Sequence, residues 1–211
     1  MSLIDSEVDY FHINRKTAWS PHDVLMEGEQ IDIGGASNPY FSFFEKSKKT
    51  VPVKNSEDGS VLQVPGVGFV GAVARGEVQS DNIAGIASDL LGHFVSYLRE
   101  LIWEDVRAKE FPHLPSRQRC IWLIPDMEGV KFWINRIGLK KTDFQVLRVR
   151  GQGRIHTASE LYLLGDSEPM EESLAKARQY WLGVVEDHTT KEVIFEGRLN
   201  VQEIVSPEEY T

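Results

Sequence analysis

The chain has 211 residues, of which 41% are hydrophobic and 26% charged, and this balance excludes a disordered or low-complexity polymer. A net charge of -9 excludes a general electrostatic footprint for duplex binding, although a local basic patch is still compatible with a nucleic-acid substrate. The single cysteine, Cys120, excludes an intramolecular disulfide, and no apolar run reaches the roughly 20 residues of a membrane span.

Tyr10 to Asn14 reads as a short strand, with Tyr10, His12 and Asn14 on one face and Phe11 and Ile13 on the other. Ser20-Pro21 is a helix start signal and Gly28 a stop, which predicts a short helix over Pro21 to Glu27. From 29 to 80, Asn38-Pro39, Val51-Pro52 and Val64-Pro65 break the pattern, so a loop-rich insertion or lid with two short strands is expected. Asp81 caps the clearest helix, where Ile83, Ile86, Leu90, Phe94, Leu98, Leu101 and Ile102 recur at helical spacing to about Lys109.

Cys120 to Ile124 is an apolar strand, Glu128 to Arg136 a helix stopped by Gly138, and Phe144 to Arg150 a strand. Leu161 to Leu164 reads as another strand, and Ser167 caps a helix to Trp181 that Gly183 closes. Lys191 to Glu196 and Leu199 to Val205 read as two strands of a hairpin around Gly197. This order predicts one α+β domain over residues 1–211 rather than a regular alternating α/β repeat. The acidic first ten residues lack the basic-then-apolar order of a secretion signal, so a cytoplasmic, membrane-free protein is expected.

Gly66-Val67-Gly68-Phe69-Val70-Gly71 matches the dinucleotide fingerprint letter for letter. That motif must end a strand and open a helix. Pro65 before it and Arg75-Gly76 after it predict a mobile glycine-rich loop instead. The six histidines and one cysteine show no metal-ligand spacing, so no metal is expected.

Glu192 and Glu196 share one strand face. They are either the solvated side of a half-exposed strand or carboxylates held in a cleft against a developing positive charge. Ser116-Arg117-Gln118-Arg119 is either a plain surface turn or a guanidinium fork for a pyrophosphate. His12 beside Asn14 is either a satisfied structural histidine or half of a ligand contact.

In order, these pieces resemble the ADP-ribosyltransferases of the histidine-first type, particularly bacterial toxin-type members that modify nucleic acid. Tyr10-Phe11-His12-Ile13-Asn14 with Glu27-Gly28 is similar to the family's opening, and Pro115-Ser116-Arg117 running into Cys120-Ile121-Trp122-Leu123 to its second strand. Lys191-Glu192-Val193-Ile194-Phe195 is similar to the strand that carries the catalytic glutamate, and Ala177 to Gly183 to the helix before it.

The resemblance implies a split β-sandwich of two small mixed sheets with flanking helices, and NAD as substrate, bent across a cleft. It implies His12 and Asn14 on a ribose or the nicotinamide amide, Ser116 and Arg117 on the pyrophosphate, and Trp122 or Tyr40 in place of a middle tyrosine. Glu192 becomes the catalytic carboxylate, and Glu196 the alternative. The implied activity is transfer of ADP-ribose to a macromolecular acceptor (RNA, DNA or protein) by a toxin or phage-defence factor that an antitoxin could restrain. Two other classes fit the composition: a non-catalytic antitoxin, immunity or regulatory protein, and a hydrolase using the same carboxylates with a metal.

Overall fold

The structure is a computed structural model and describes residues 3–4, 9–16, 24–54, 58–163, 165–185 and 190–210. It is a mixed α+β fold. The chain order is β1 (Leu3–Ile4), β2 (Tyr10–Arg15), β3 (Gln30–Ile33), α1 (Pro39–Lys46), β4 (Thr50–Lys54), β5 (Val61–Pro65), α2 (Gly66–Ala74) and α3 (Ile83–Glu110). Then follow β6 (Ile121–Leu123), α4 (Met127–Ile137), β7 (Phe144–Ser159), α5 (Met170–Trp181), β8 (Lys191–Ile204) and α6 (Pro207–Tyr210).

β7 and β8 form a long antiparallel pair from Leu147↔Ile204 to Ser159↔Lys191. β1 and β2 pair with β7, and β3 and β6 pair with β8. Phe11 and Ile124 exchange both backbone hydrogen bonds at 2.8 Å, so the pairing β2–β7–β8–β6 returns to β2 and the sheet curls on itself. The expected two small mixed sheets are thus one six-stranded and one two-stranded sheet, antiparallel in every described pairing.

Strand alternation sorts the core. Leu123, Leu147, Val149, Val193, Phe195, Leu199 and Val201 pack inside the curl. Ile194 and Ala158, on the outer face, pack against Trp103 and Val106 of α3 and Ala177, Tyr180 and Trp181 of α5. Val130, Phe144, Val146 and Tyr210 form a third cluster with residues of α4 and α6.

The segment 29–80 departs from its loop-rich expectation. Asn38-Pro39 is a helix start rather than a break: Asn38 Oδ1 accepts from Phe41 N at 2.9 Å and Pro39 occupies the first turn, where its missing N–H costs nothing. The amide Nδ2 of Asn38 also donates to the Arg117 carbonyl at 2.7 Å, tying α1 to the approach of β6. Asn38→Ala removes both the cap and this buried cross-link; about 2 kcal/mol of stability is expected to go, read as a lowered urea midpoint at unchanged slope.

The glycine-rich stretch is likewise no loop. β5 runs into α2 at Gly66, so strand and helix are both present, but all three glycines lie within the helix and β5 pairs antiparallel with β4. A phosphate cradle needs the glycines in the turn between them and a parallel crossover.

The expected Gly197 hairpin is one continuous strand, because β8 pairs through Gly197 with β7, which extends nine residues past Arg150. Of the strand expected over Leu161 to Leu164, the first two residues belong to a 3-10 turn, Glu160 to Tyr162, and residue 164 lies outside the described set. Of the helix expected over Pro21 to Glu27, residues 21–23 lie outside the described set, and the rest is not helical: residues 24–26 are irregular and Glu27-Gly28 is a turn. On α3, Leu90 and Ile102 are buried as expected, but Phe94, Leu98 and Leu101 face outward; the buried side carries Glu100, Trp103, Val106 and Arg107.

Candidate functional site

The outer face of β8 carries Glu192, Ile194 and Glu196 in alternation, and the rows of β6 and β7 beside it place Trp122 and Arg154 on the same face. The turn before β6 delivers Ser116 and Arg117 onto it. Glu192 is 7% exposed, Arg117 2% and Tyr180 0%. Arg117 Nη1 and the Tyr180 hydroxyl both donate to Glu192 Oε1, and Arg117 Nη1 also reaches the Tyr180 oxygen at 2.8 Å. Among the described residues no hydrogen bond reaches Oε2.

On its other side Arg117 forks onto Glu100, Nε to Oε2 at 3.1 Å and Nη2 to Oε1 at 3.2 Å, and Arg99 Nε adds 3.1 Å to Glu100 Oε1. One guanidinium therefore bridges two buried carboxylates inside an apolar shell. Burial pushes the Glu100 carboxyl up, but the charges of Arg117 and Arg99 outweigh it and hold it below the usual carboxylate range. Burial, with the adjacent Glu192, pushes the Tyr180 hydroxyl well above its ordinary value, so it stays a donor. Burial also raises the Cys120 thiol, which makes it a poor nucleophile.

Glu196, one step further along the face, accepts from Ser116 N at 2.9 Å through Oε1 and pairs with Arg154 through Oε2. Ser116 Oγ donates to Glu104 at 2.8 Å. Glu196 and Arg154 line an open groove of about 340 Å3 with Ile33, Gly34, Gly153 and Gly197. The glycines leave it bare: a Cβ at Gly34 would lie 3.3 Å from Glu196 Cγ. Arg154, with 43% of its side chain exposed, is the cation that borders this space.

Of the residues singled out in the sequence, the fold brings Glu192, Arg117, Ser116 and Trp122 together; the Arg117 guanidinium lies 5.9 Å from the Trp122 ring centre, and the Tyr40 ring 6.0 Å from it. His12 and Asn14 lie on the inner face of the curl, across from Leu147 and Gln145. His12 Nδ1 donates to the Trp122 carbonyl at 2.9 Å, which assigns its proton to Nδ1. Burial lowers its pKa, only partly opposed by that carbonyl. Asn14 Oδ1 accepts from Leu25 N at 3.1 Å and Gln145 Nε2 at 3.2 Å, pinning the chain where it returns toward β3.

Glu100, Tyr180, Glu104 and Arg154 were not legible from sequence. Arg99-Glu100 looks like any charged pair on a helix, and only the identity of the buried side of α3 marks it. Tyr180 lies inside a stretch whose sequence marks a helix and says nothing of the hydroxyl's partner.

A family model described as "Protein of unknown function (DUF2441)" matches residues 10–207, from the start of β2 to the start of α6. No curated protein matches the chain.

Proposed function

We propose that this chain, which belongs to the DUF2441 family, is an NAD-dependent mono-ADP-ribosyltransferase acting on a macromolecular acceptor. The observation that carries the reading is the pair Glu192 and Glu196: two carboxylates on one face of a rigid strand, each fixed by an arginine, the second of them lining an open, glycine-floored groove. The reading takes the curled sheet and its flanking helices as a split β-sandwich of the ADP-ribosyltransferase kind.

Glu192, with Oε1 held by Arg117 and Tyr180, offers Oε2 to a nicotinamide-ribose hydroxyl. As the C1′–N bond breaks, nicotinamide leaves with the bonding electron pair and positive charge develops on the ribose; a preoriented carboxylate stabilises that charge. The acceptor's lone pair then forms the new bond at C1′, and its proton passes to a carboxylate or to water. Arg154 swings from Glu196 to a phosphate in the groove. Trp122 with Tyr40 supplies an aromatic wall, and His12, protonated at Nδ1, steadies that wall from the inner face of the curl through the Trp122 carbonyl. Such an activity suits a cytoplasmic toxin or defence factor held in check by an antitoxin.

The second reading, a non-catalytic interaction protein, draws on the apolar side chains that α3 leaves exposed and on the same Arg117–Glu192 pair as a purely structural clamp. Nicotinamide release from NAD by purified protein, with cell lysate as acceptor, separates the two. Glu192→Gln is expected to lower release by about 10^2-fold or more while folding normally, and Glu196→Gln to lower it less. No release, together with no NAD binding by calorimetry, rejects the transferase and leaves the interaction protein.

A further inference from the structure

The exposed side of α3 carries an ordered stripe. Leu91 is 67% exposed, Phe94 45%, Leu98 50% and Leu101 42%. With Ala84 and Ala87 before them, these positions step by three and four residues in strict alternation, the spacing of a helix–helix seam. The charged residues within that stretch point elsewhere: Asp89 pairs with Lys49, and Arg99 and Glu100 join the Arg117 network. The helix has 28 residues, so it is about 42 Å long.

A surface of this kind takes a helix, because only knobs repeating at the same interval fill its gaps. Its symmetry says which helix. Read outward from Ser96, Phe94 and Leu98 stand two residues away, Leu91 and Leu101 five, and Ala84 and Ala108 twelve. Laid antiparallel on its own copy, the stripe therefore sets Phe94 against Leu98, Leu91 against Leu101 and Ala84 against Ala108, with Ala87 facing Asp105, whose carboxylate is paired with Lys109 of its own helix.

The ends are complementary in charge. Asp81, exposed just before α3, comes near the partner's exposed C-terminal turn with its Lys109, and the helix dipoles oppose. For a chain of net charge -9, the uncharged central run Leu91, Phe94, Leu98 and Leu101 is the surface through which two copies meet with least repulsion.

We propose that α3 pairs antiparallel, about a two-fold axis level with Ser96, with α3 of a second copy of this chain. The inference is independent of the NAD reading. Sedimentation equilibrium on the purified chain gives twice the 24.0 kDa monomer mass. Leu91→Glu with Leu98→Glu raises the dimer dissociation constant about 100-fold or more at unchanged circular dichroism, since both side chains already meet solvent in the single chain.

Disulfide mapping in a Cys120→Ser background fixes the register: Leu91→Cys chains mixed with Leu101→Cys chains cross-link to each other faster than either does to itself. A wild-type monomer at the highest soluble concentration, or a dimer that survives the double substitution, overturns the proposal and leaves the stripe to a helix of a different protein. Leu91→Cys linking fastest to itself overturns the antiparallel arrangement.

Discussion

Arg117→Met is expected to cost about 3–5 kcal/mol of stability, because it leaves Glu192 buried without a counter-charge and Glu100 with Arg99 alone. Methionine fills much of the arginine stem's volume, so the loss is electrostatic rather than a cavity. The pH dependence identifies the cause. In the native protein Glu100 is held below its ordinary pKa; that contribution is present above the unfolded value and is lost as pH falls through the folded one.

Without the Arg117 guanidinium only Arg99, among the described residues, opposes burial, so the Glu100 pKa is expected to rise above its unfolded value. The variant then takes up a proton on folding, and its deficit relative to wild type shrinks as pH falls from about 7 to about 5. Urea unfolding of both proteins at the two pH values measures this. A deficit that stays constant across the range would mean that Glu100 does not depend on Arg117. Adding Glu100→Gln to Arg117→Met should recover part of the loss at neutral pH.

The other large effect belongs to the crossing of β7 and β8. Gly153 and Gly197 face each other across the pair, and their backbones approach more closely than any side chain permits. A Cβ on Gly153 would lie 2.8 Å from Gly197 Cα and collide with the Glu196 carbonyl; one on Gly197 would lie 2.6 Å from Gly153 Cα. Gly197 also sits at φ 143°, which other residues rarely adopt.

Gly197→Ala combines backbone strain with overpacking, for about 4 kcal/mol or outright failure to fold. Gly165→Ala, where nothing lies within 4 Å, is the control and should stay within about 0.5 kcal/mol of wild type. Thermal melts of the two suffice. Equal melting temperatures would show that the sheet can open at this point without penalty.

What was legible in the sequence depended on how local its cause was. β2, β6, α3 and α4 follow from alternation, helical spacing and caps such as Gly138, each of which acts within a few residues. The face shared by Glu192 and Glu196 followed from the same alternation. The continuity of β8 through Gly197 did not, because a glycine that marks a turn and one that marks two backbones in contact look alike until the facing Gly153 is known.

The pairing of Arg117 with Glu192 joined two candidate residues 75 positions apart, whereas Glu100 reaches the same network from the inner side of a helix whose outer stripe is the more regular one. Reading α3 by its strongest apolar spacing selected the side that faces out. The placement of His12 behind Trp122 is a property of the curl, which no local pattern encodes.

That curl has a consequence for biosynthesis. β2 is made early, yet its partner strand comes late: Asn14 meets Gln145 across 131 positions. At ribosomal speeds of about 5–20 residues per second, the gap is roughly 10 s. Throughout that interval Phe11 and Ile13 stand on a strand with both hydrogen-bonding edges open, a template for pairing with a neighbouring nascent chain. The ring closes only when the last strand arrives, so cover of the first strand during synthesis is expected to raise the yield of folded protein.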